Sequence, residues 1–258
     1  MNTLALKIAL TPLLMTAATL AVRRWGPAVG GWIVGLPLTS GPISLFLALE
    51  RGADFASAAA VATILGINGV AATVATYALP ARHWHWAATM VASVIAFVIV
   101  AALLRDVRLS PLLAFVATLV VLIVSLAGLP RVSPSATAAR PLRSDLPIRI
   151  AVALSMVLAV TGVAERLGPQ LSGLISPFPV FTVVMAVFSH RESGGAVAIP
   201  YARGVLLSLV GFAVFFLTIA LALPHAGVVI AFALATGASL AASVIAAVIN
   251  HGLHGLHR

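Results

Sequence analysis

Two segments combine helix-breaking residues with hydroxyl side chains inside otherwise apolar stretches. Glycine and proline are dense between positions 30 and 42, and the segment 172–182 contains two serines and two prolines. Because proline removes a backbone donor and clashes with the preceding turn, both segments should interrupt a helix. The freed amides attract anions and the freed carbonyls attract cations. The residues that we expect to line a binding site are Gly31, Pro37, Thr39, Ser40, Gly173, Ser176, Pro177, Pro179 and Thr182.

Four charged residues recur in pairs that lie 142 positions apart. Arg24 corresponds to Arg166, and Glu50 corresponds to Glu192. If the two halves enter a membrane in opposite orientations, Arg24 meets Glu192 on one face and Arg166 meets Glu50 on the other. Such pairs could act as gating charges that close alternately at the two ends of a pathway. The alternative is that all four side chains anchor helix ends at the membrane interface.

The other polar residues give weaker signals. A lone Asn68 in an apolar span more often holds helices together than binds a ligand. Arg203 should face the protein interior or reach back to the interface, because an arginine facing lipid is costly. The three histidines at positions 251, 254 and 257 are interpreted as a solvated tail, since no carboxylate or cysteine nearby completes a metal site.

Signatures of enzymes are absent from the sequence. It has no cysteine, only six acidic residues, and no nucleophile elbow, phosphate-binding glycine loop or zinc-protease motif. We therefore expect no enzymatic activity, no metal and no cofactor.

The composition of the chain indicates the environment in which the candidate site residues lie. The chain of 258 residues is 62% hydrophobic and only 8% charged, against about 25% charged in soluble domains. This excludes an ordinary soluble enzyme and a disordered chain. The basic residues that give the net charge of +9 are dispersed, so we expect no nucleic-acid partner. The sequence predicts an all-α, polytopic membrane protein whose surroundings are lipid.

Nine apolar runs are each long enough to cross the hydrocarbon core as a helix, which needs about 20 residues. More basic residues flank the side that carries the segment 130–147 than the opposite side. This bias predicts that the linker and the C-terminus are cytoplasmic and the N-terminus is outside, in a bacterial inner membrane. The predicted spans are 3–22, 28–49, 56–79, 86–104, 111–129, 148–164, 170–189, 197–222 and 227–249.

An internal repeat relates the two halves. Adding 142 to a position in the first half gives its counterpart for more than 70 residues without a gap, including Gly26/Gly168 and Pro37/Pro179. Spans 1–4 therefore correspond to spans 6–9. Five spans separate equivalent helices, and since five is odd the second copy should be inverted. The domains are repeat A (1–105), the inverting span 5 with its linker (106–146) and repeat B (147–258).

Each copy resembles the GlpM-like small inner-membrane proteins. The resemblance is carried by the stretch Ser172–Phe181, with its Gly-Leu-Ile and Phe-Pro elements, and by Glu50-Arg51-Gly52 in the first copy. The first copy departs by having Gly35-Leu36-Pro37 in place of Phe-Pro, and the second lacks the arginine after Glu192. The resemblance implies a fold more than a substrate.

These patterns favour a membrane transporter or channel that moves a small solute, anions being one candidate class, through a midplane site formed by broken helices 2 and 7. A non-transporting scaffold or assembly factor, whose kinks serve packing, is the alternative. A lipid flippase is a third hypothesis. A transporter needs a polar, water-accessible pocket at the level of Pro37 and Pro179, whereas a scaffold should be tightly packed there.

Overall fold

The computed structural model describes residues 3–38, 40–130, 146–164 and 177–255. Within these ranges every regular element is helical, so the predicted all-α class is confirmed. Four of the residues predicted at the binding site or gate lie outside the described residues: Thr39, Arg166, Gly173 and Ser176.

The helices follow the predicted spans closely, with span 2 divided in two. Their bounds are α1 Thr3–Trp25, α2 Pro27–Val34, α3 Ser40–Arg51, α4 Ala53–Ala78, α5 Trp86–Leu104, α6 Pro111–Gly128, α7 Leu146–Ala164, α8 Val180–Ser193 and α9 Ala198–Gly255. One turn of 3-10 helix, Gly195–Val197, joins α8 to α9. The first part of span 7 falls among the residues that are not described.

Helix α9 is a hairpin of two segments. Gly227 has φ 75° and ψ 168°, a conformation that only glycine adopts without strain. The two segments pack antiparallel on either side of it, because Phe215 contacts Phe232 and Gly211 lies against Ser239. The sequence places the break between spans 8 and 9 at residues 223–226, but the helix continues through Pro224 and the chain reverses at Gly227.

The outer helices show the side-chain distribution of a lipid-facing bundle. On the inward faces of α5 and α6, buried residues recur every four positions. They are Thr89, Ser93 and Phe97 on α5, and Ala114 and Thr118 on α6. Their outward faces carry large exposed apolar side chains such as those at positions 95, 99, 116 and 120. By length and hydropathy, four helical stretches of the described chain could cross a membrane: Ala53–Ala78, Trp86–Leu104, Pro111–Gly128 and Gly195–Ile249. The chain is therefore that of a membrane protein.

Helix ends recur at the spacing of the sequence repeat. Helix α3 ends at Arg51 and α8 ends at Ser193, one copy later. Each is followed by a glycine of nearly the same geometry, Gly52 with φ 88° and ψ 168° and Gly194 with φ 80° and ψ 169°. The approach of Gly69 to Phe97 is likewise matched by that of Gly211 to position 239.

Helix α4 and the first segment of α9, which correspond in the repeat, pack antiparallel. Ser57 at the start of α4 donates a hydrogen bond to the carbonyl of Ala220, at 2.8 Å. At the other end, Gly195 lies directly against the carbonyl of Ala81. The contacts pair the beginning of one helix with the end of the other.

Helix α6, the predicted inverting span, is tied to both halves by polar contacts. Asn68 Nδ2 donates to Thr118 Oγ1 at 3.1 Å, and Thr118 Oγ1 donates to the carbonyl of Ile64 at 3.1 Å. The interpretation of Asn68 as a contact between helices is thus confirmed. Arg203 Nη1 donates to the carbonyls of residues 126 and 129, each at 3.3 Å. It satisfies carbonyls that the end of α6 leaves free.

Candidate functional site

Span 2 is interrupted between Val34 and Ser40, as its glycines and prolines predict. Inside the break, the Leu38 amide donates to the Leu36 carbonyl at 2.8 Å. Pro37 is half-buried, and its carbonyl accepts from the amide of Gly41 at 2.9 Å. The freed backbone groups are thus partly satisfied within the break.

The glycines on either side of this break lie in a tight helix crossing. A side chain at Gly31 would collide with the Tyr201 carbonyl, and one at Gly35 with Ser208. From the opposite side, Gly204 of α9 lies against the backbone of Ala28. Small residues let membrane helices approach closely, so packing accounts for Gly31 without a ligand.

The described hydroxyl-bearing residues predicted near the breaks are buried, and their backbone carbonyls accept hydrogen bonds. Ser40 is buried at the start of α3, and its carbonyl accepts from Ser44 Oγ at 2.7 Å. Thr182 is buried in the first turn of α8, and its carbonyl accepts from Tyr201 Oη at 3.3 Å.

The second break precedes α8. Pro177 and Pro179 are both buried, and Pro179 is the residue before the first turn of the helix. Between them, the Phe178 ring packs edge-on against Phe97, with centroids 4.9 Å apart.

The two breaks adjoin a common cleft. It is lined by Ile33, Val34, Leu36 and Leu38 from the first break, by Phe181 just after the second, and by Leu14 and Ala18 of α1. Its volume of about 20 Å³ is room for roughly one water molecule. The residues of the two predicted segments are therefore brought together, but this cleft is apolar and small.

A buried ion pair lies beyond this cleft, at the other end of α8. Arg149 in the first turn of α7 is 0% exposed, and its Nη2 lies 2.6 Å from Oε1 of Glu192, which is 16% exposed. The guanidinium also lies over the Phe188 ring, 4.8 Å from its centroid, and its Nη1 is 3.6 Å from the sulfur of Met185. A charge in such surroundings is held by its counter-charge and by hydrogen bonds.

One face of α8 connects the cleft to the ion pair. Phe181, Met185, Phe188 and Glu192 follow at intervals of four, three and four residues, which places them on one side of a helix. Phe181 lines the cleft, Met185 and Phe188 contact Arg149, and Glu192 pairs with it. This face, called the α8 stripe below, runs from the helix breaks to the ion pair.

Further polar groups surround the end of α8. Tyr77 Oη of α4 lies 3.3 Å from Nδ1 of His190, and both residues are buried. Arg191 is exposed and stacks on Trp86, with 5.2 Å to the ring centroid. The end of α8 therefore brings a buried tyrosine–histidine contact and an exposed arginine close in sequence to Glu192.

The predicted gating charges have different environments. Arg24 and Glu50 are exposed at the ends of α1 and α3. Glu192 is largely buried, and its carboxylate is paired with Arg149 of its own repeat. The pairing of Glu192 with Arg24 stays a prediction, as does that of Glu50 with Arg166.

Arg149 is not among the predicted site residues, because a basic residue close to the start of a predicted span is typical of a membrane-flanking position. One sequence signal could have found it: Lys7 occupies the equivalent position 142 residues earlier, so a basic residue recurs there as the acid recurs at Glu50 and Glu192.

The described part of the chain holds no group of three or more His, Cys, Asp or Glu side chains placed to bind a metal. No protein-family model, curated protein or solved structure matches the chain. The resemblance to the GlpM-like proteins therefore stays a prediction.

Proposed function

We propose that this protein is a membrane transporter or channel that moves a small anion between two inverted halves, along the α8 stripe. The observation that carries the proposal is the complete burial of Arg149 among apolar helices. Ionisable groups inside a membrane bundle are costly and mark solute or ion pathways by default. An arginine presents several donors to an anion, and the stripe leads from it to the cleft between the breaks.

The proposal includes an inverted repeat of four, one and four spans. The recurrence of helix ends, the matched conformations of Gly52 and Gly194, and the antiparallel packing of α4 on α9 all favour it. In transporters of this kind the site lies between the repeats, next to broken helices. The interruption before Ser40 and the start of α8 after Pro179 fit that position.

A non-transporting scaffold is a second candidate, and the cleft favours it. The side chains that line it are apolar, and its volume of about 20 Å³ is room for roughly one water molecule. The glycine crossing of α2 and α9 is also what a packing kink would produce. The scaffold gives no reason, however, for a fully buried arginine beside the stripe.

Transport is tested by anion flux into proteoliposomes, with chloride and lactate as probes. We expect flux above that of protein-free vesicles, and a loss of at least tenfold in Arg149→Gln. Arg149→Lys keeps the positive charge but lacks the planar guanidinium group with its several donors. Its flux should therefore fall less than that of Arg149→Gln. Arg105→Gln is the matched control, because Arg105 belongs to an exposed ion pair with Asp106. Well-folded protein that passes neither anion would favour the scaffold.

Inversion is tested by the topology of two equivalent glycines. A reporter inserted after Gly52 should be found outside the cytoplasm, and one inserted after Gly194 inside it. The basic residues near 130–147 predict this orientation in a bacterial inner membrane. Two reporters on the same side would contradict the inverted repeat.

A further inference from the structure

We propose that one corner of the bundle binds the phosphate of an anionic phospholipid through Arg82 and Arg191. The corner consists of the loop residues 79–85, Trp86 at the start of α5, and the last turn of α8, and it is called the lipid corner below. A lipid bound there holds the end of α4 to the end of α8. This binding is independent of the transport function proposed above.

The lipid corner lies at the depth of the membrane surface. Residues 79–85 connect α4 to α5, and both helices are long and apolar enough to cross a membrane. A short loop between two such helices lies just outside the hydrocarbon core, at the level of the headgroups. Trp84 in this loop is 51% exposed, and tryptophan is enriched at that level. The exposed side chain of Arg82 is therefore placed among the lipid phosphates.

Helix α8 reaches the same corner through two contacts. Gly195, just after the helix, lies directly against the carbonyl of Ala81, and a side chain there would also collide with the amide of Arg82. Four residues earlier, the guanidinium carbon of Arg191 lies 5.2 Å from the centroid of the Trp86 ring. Both arginines therefore adjoin one short segment, residues 81–86.

The guanidinium of Arg191 is oriented but its donors are not used. It stacks on Trp86, and Phe188 lies 6.0 Å from it, whereas the described part of the chain gives it no hydrogen bond or ion pair. Stacking engages the face of a guanidinium and leaves the N–H donors in its plane for another partner. Arg82 likewise has no hydrogen bond or ion pair with a described residue. Such donor groups suit the oxygens of a phosphate.

The charges at the lipid corner favour a headgroup with a net negative charge. Glu192 is the acid next to Arg191 in the sequence, but it is only 16% exposed and its Oε1 lies 2.6 Å from the buried Arg149. A zwitterionic headgroup would bring its ammonium group beside two arginines, and like charges repel. One face of Trp86, which could otherwise hold a quaternary ammonium, is covered by Arg191. Phosphatidylglycerol should therefore bind in preference to phosphatidylcholine.

The outward face of α5 favours a phospholipid over a soluble phosphate ester. This face runs from the corner into the hydrocarbon region, and it carries Val91, Ile95 and Ile99, which are 51%, 52% and 53% exposed. Acyl chains attached to the phosphate can cover these side chains, and burying apolar surface adds to the binding free energy. A soluble phosphate ester has no such contacts.

The first experiment compares two lipids with the same acyl chains. The full chain is purified in detergent and titrated with dioleoyl phosphatidylglycerol or dioleoyl phosphatidylcholine, and bound lipid is counted by native mass spectrometry. We expect phosphatidylglycerol to bind at least about tenfold more tightly, since each basic side chain near a membrane surface contributes about fivefold. The preference should weaken as ammonium acetate is raised, because the arginines are exposed. Equal binding of the two lipids would overturn the inference without any variant.

Two substitutions locate the binding site. Arg82→Gln and Arg191→Gln should each lower the preference for phosphatidylglycerol about fivefold. Arg105→Gln is the matched control, because it removes the same charge at the other end of α5, where Arg105 pairs with Asp106. It should keep the wild-type preference. A preference that survives in both corner variants, or that falls equally in Arg105→Gln, would refute the assignment of the lipid corner.

A soluble competitor separates the lipid from a free phosphate ester. Glycerophosphoglycerol is the headgroup of phosphatidylglycerol without its acyl chains. We expect that a tenfold excess of this compound leaves the lipid bound. If it displaces phosphatidylglycerol at equal concentration, the corner recognises soluble phosphate esters and the inference of a lipid site is wrong.

Discussion

Removing the charge of Glu192 without changing its size is the most direct test of the buried ion pair. Glu192→Gln removes the negative charge that lies 2.6 Å from Nη2 of the buried Arg149. Breaking a buried pair in this way costs about 3–5 kcal/mol of stability. The lower end of this range applies here, because Glu192 is 16% exposed and water can approach the ion pair from its side. We expect a loss of about 3 kcal/mol.

The chain provides its own reference pair. Arg105 and Asp106 are 2.8 Å apart, but their side chains are 64% and 83% exposed. Exposed pairs contribute about 0–1 kcal/mol, so Asp106→Asn should change stability by less than 1 kcal/mol. The contrast between the two substitutions isolates burial, because both replace a carboxylate by its amide.

The measurement is the free energy of unfolding in mixed detergent micelles, followed by circular dichroism while the denaturing detergent is increased. A third variant, Arg149→Met combined with Glu192→Gln, removes both charges and should recover most of the loss, since an apolar replacement of a buried pair is often neutral. If Glu192→Gln costs no more than Asp106→Asn, the guanidinium is solvated and the reasoning about a desolvated site is wrong.

Three further substitutions test the packing of the bundle by the same unfolding measurement. Thr118→Val should cost about 1 kcal/mol through lost contacts between helices, and the exposed Thr236→Val much less; equal costs would show that these contacts contribute nothing. Gly204→Val should prevent α2 from approaching α9 and lose about 3 kcal/mol, whereas Gly237→Val meets open space and should be tolerated; a stable Gly204→Val protein would contradict the crossing. Gly227→Ala should cost about 1–2 kcal/mol because of its positive φ, and an unchanged stability would mean that the hairpin turns elsewhere.

The backbone features of the fold were predictable because they depend on local chemistry. Dense proline and glycine disfavour a helix, so the break around Pro37 follows from residue type. Isolated prolines are less informative, because Pro12 and Pro224 lie inside helices and the reversal occurs at Gly227. The interpretation of Asn68 also succeeded, because a buried amide in an apolar helix must find a partner on a neighbouring helix.

The ion pair was not predictable in the same way. Glu192 was singled out because it recurs, but its contact with Arg149 depends on how α7 packs beside α8. A charged residue near the end of a span gives the same sequence pattern whether its side chain faces water or the protein interior. The sequence indicates an interior pair only when both recurrences are considered together. Lys7 is the counterpart of Arg149, and Glu50 is the counterpart of Glu192.

Equivalent helices in the two repeats are joined differently, and this has a practical consequence. Helices α4 and α5 are connected by residues 79–85, where Arg82, His83 and Trp84 are exposed, whereas the two segments of α9 meet at Gly227 alone. Insertions are tolerated at exposed loop tips and not where a single residue sets the backbone geometry. A rigid fusion partner that enlarges this 26.4 kDa chain for particle imaging therefore belongs between positions 83 and 84. This position leaves Ala81 against Gly195 and leaves the side chain that caps α5 in place.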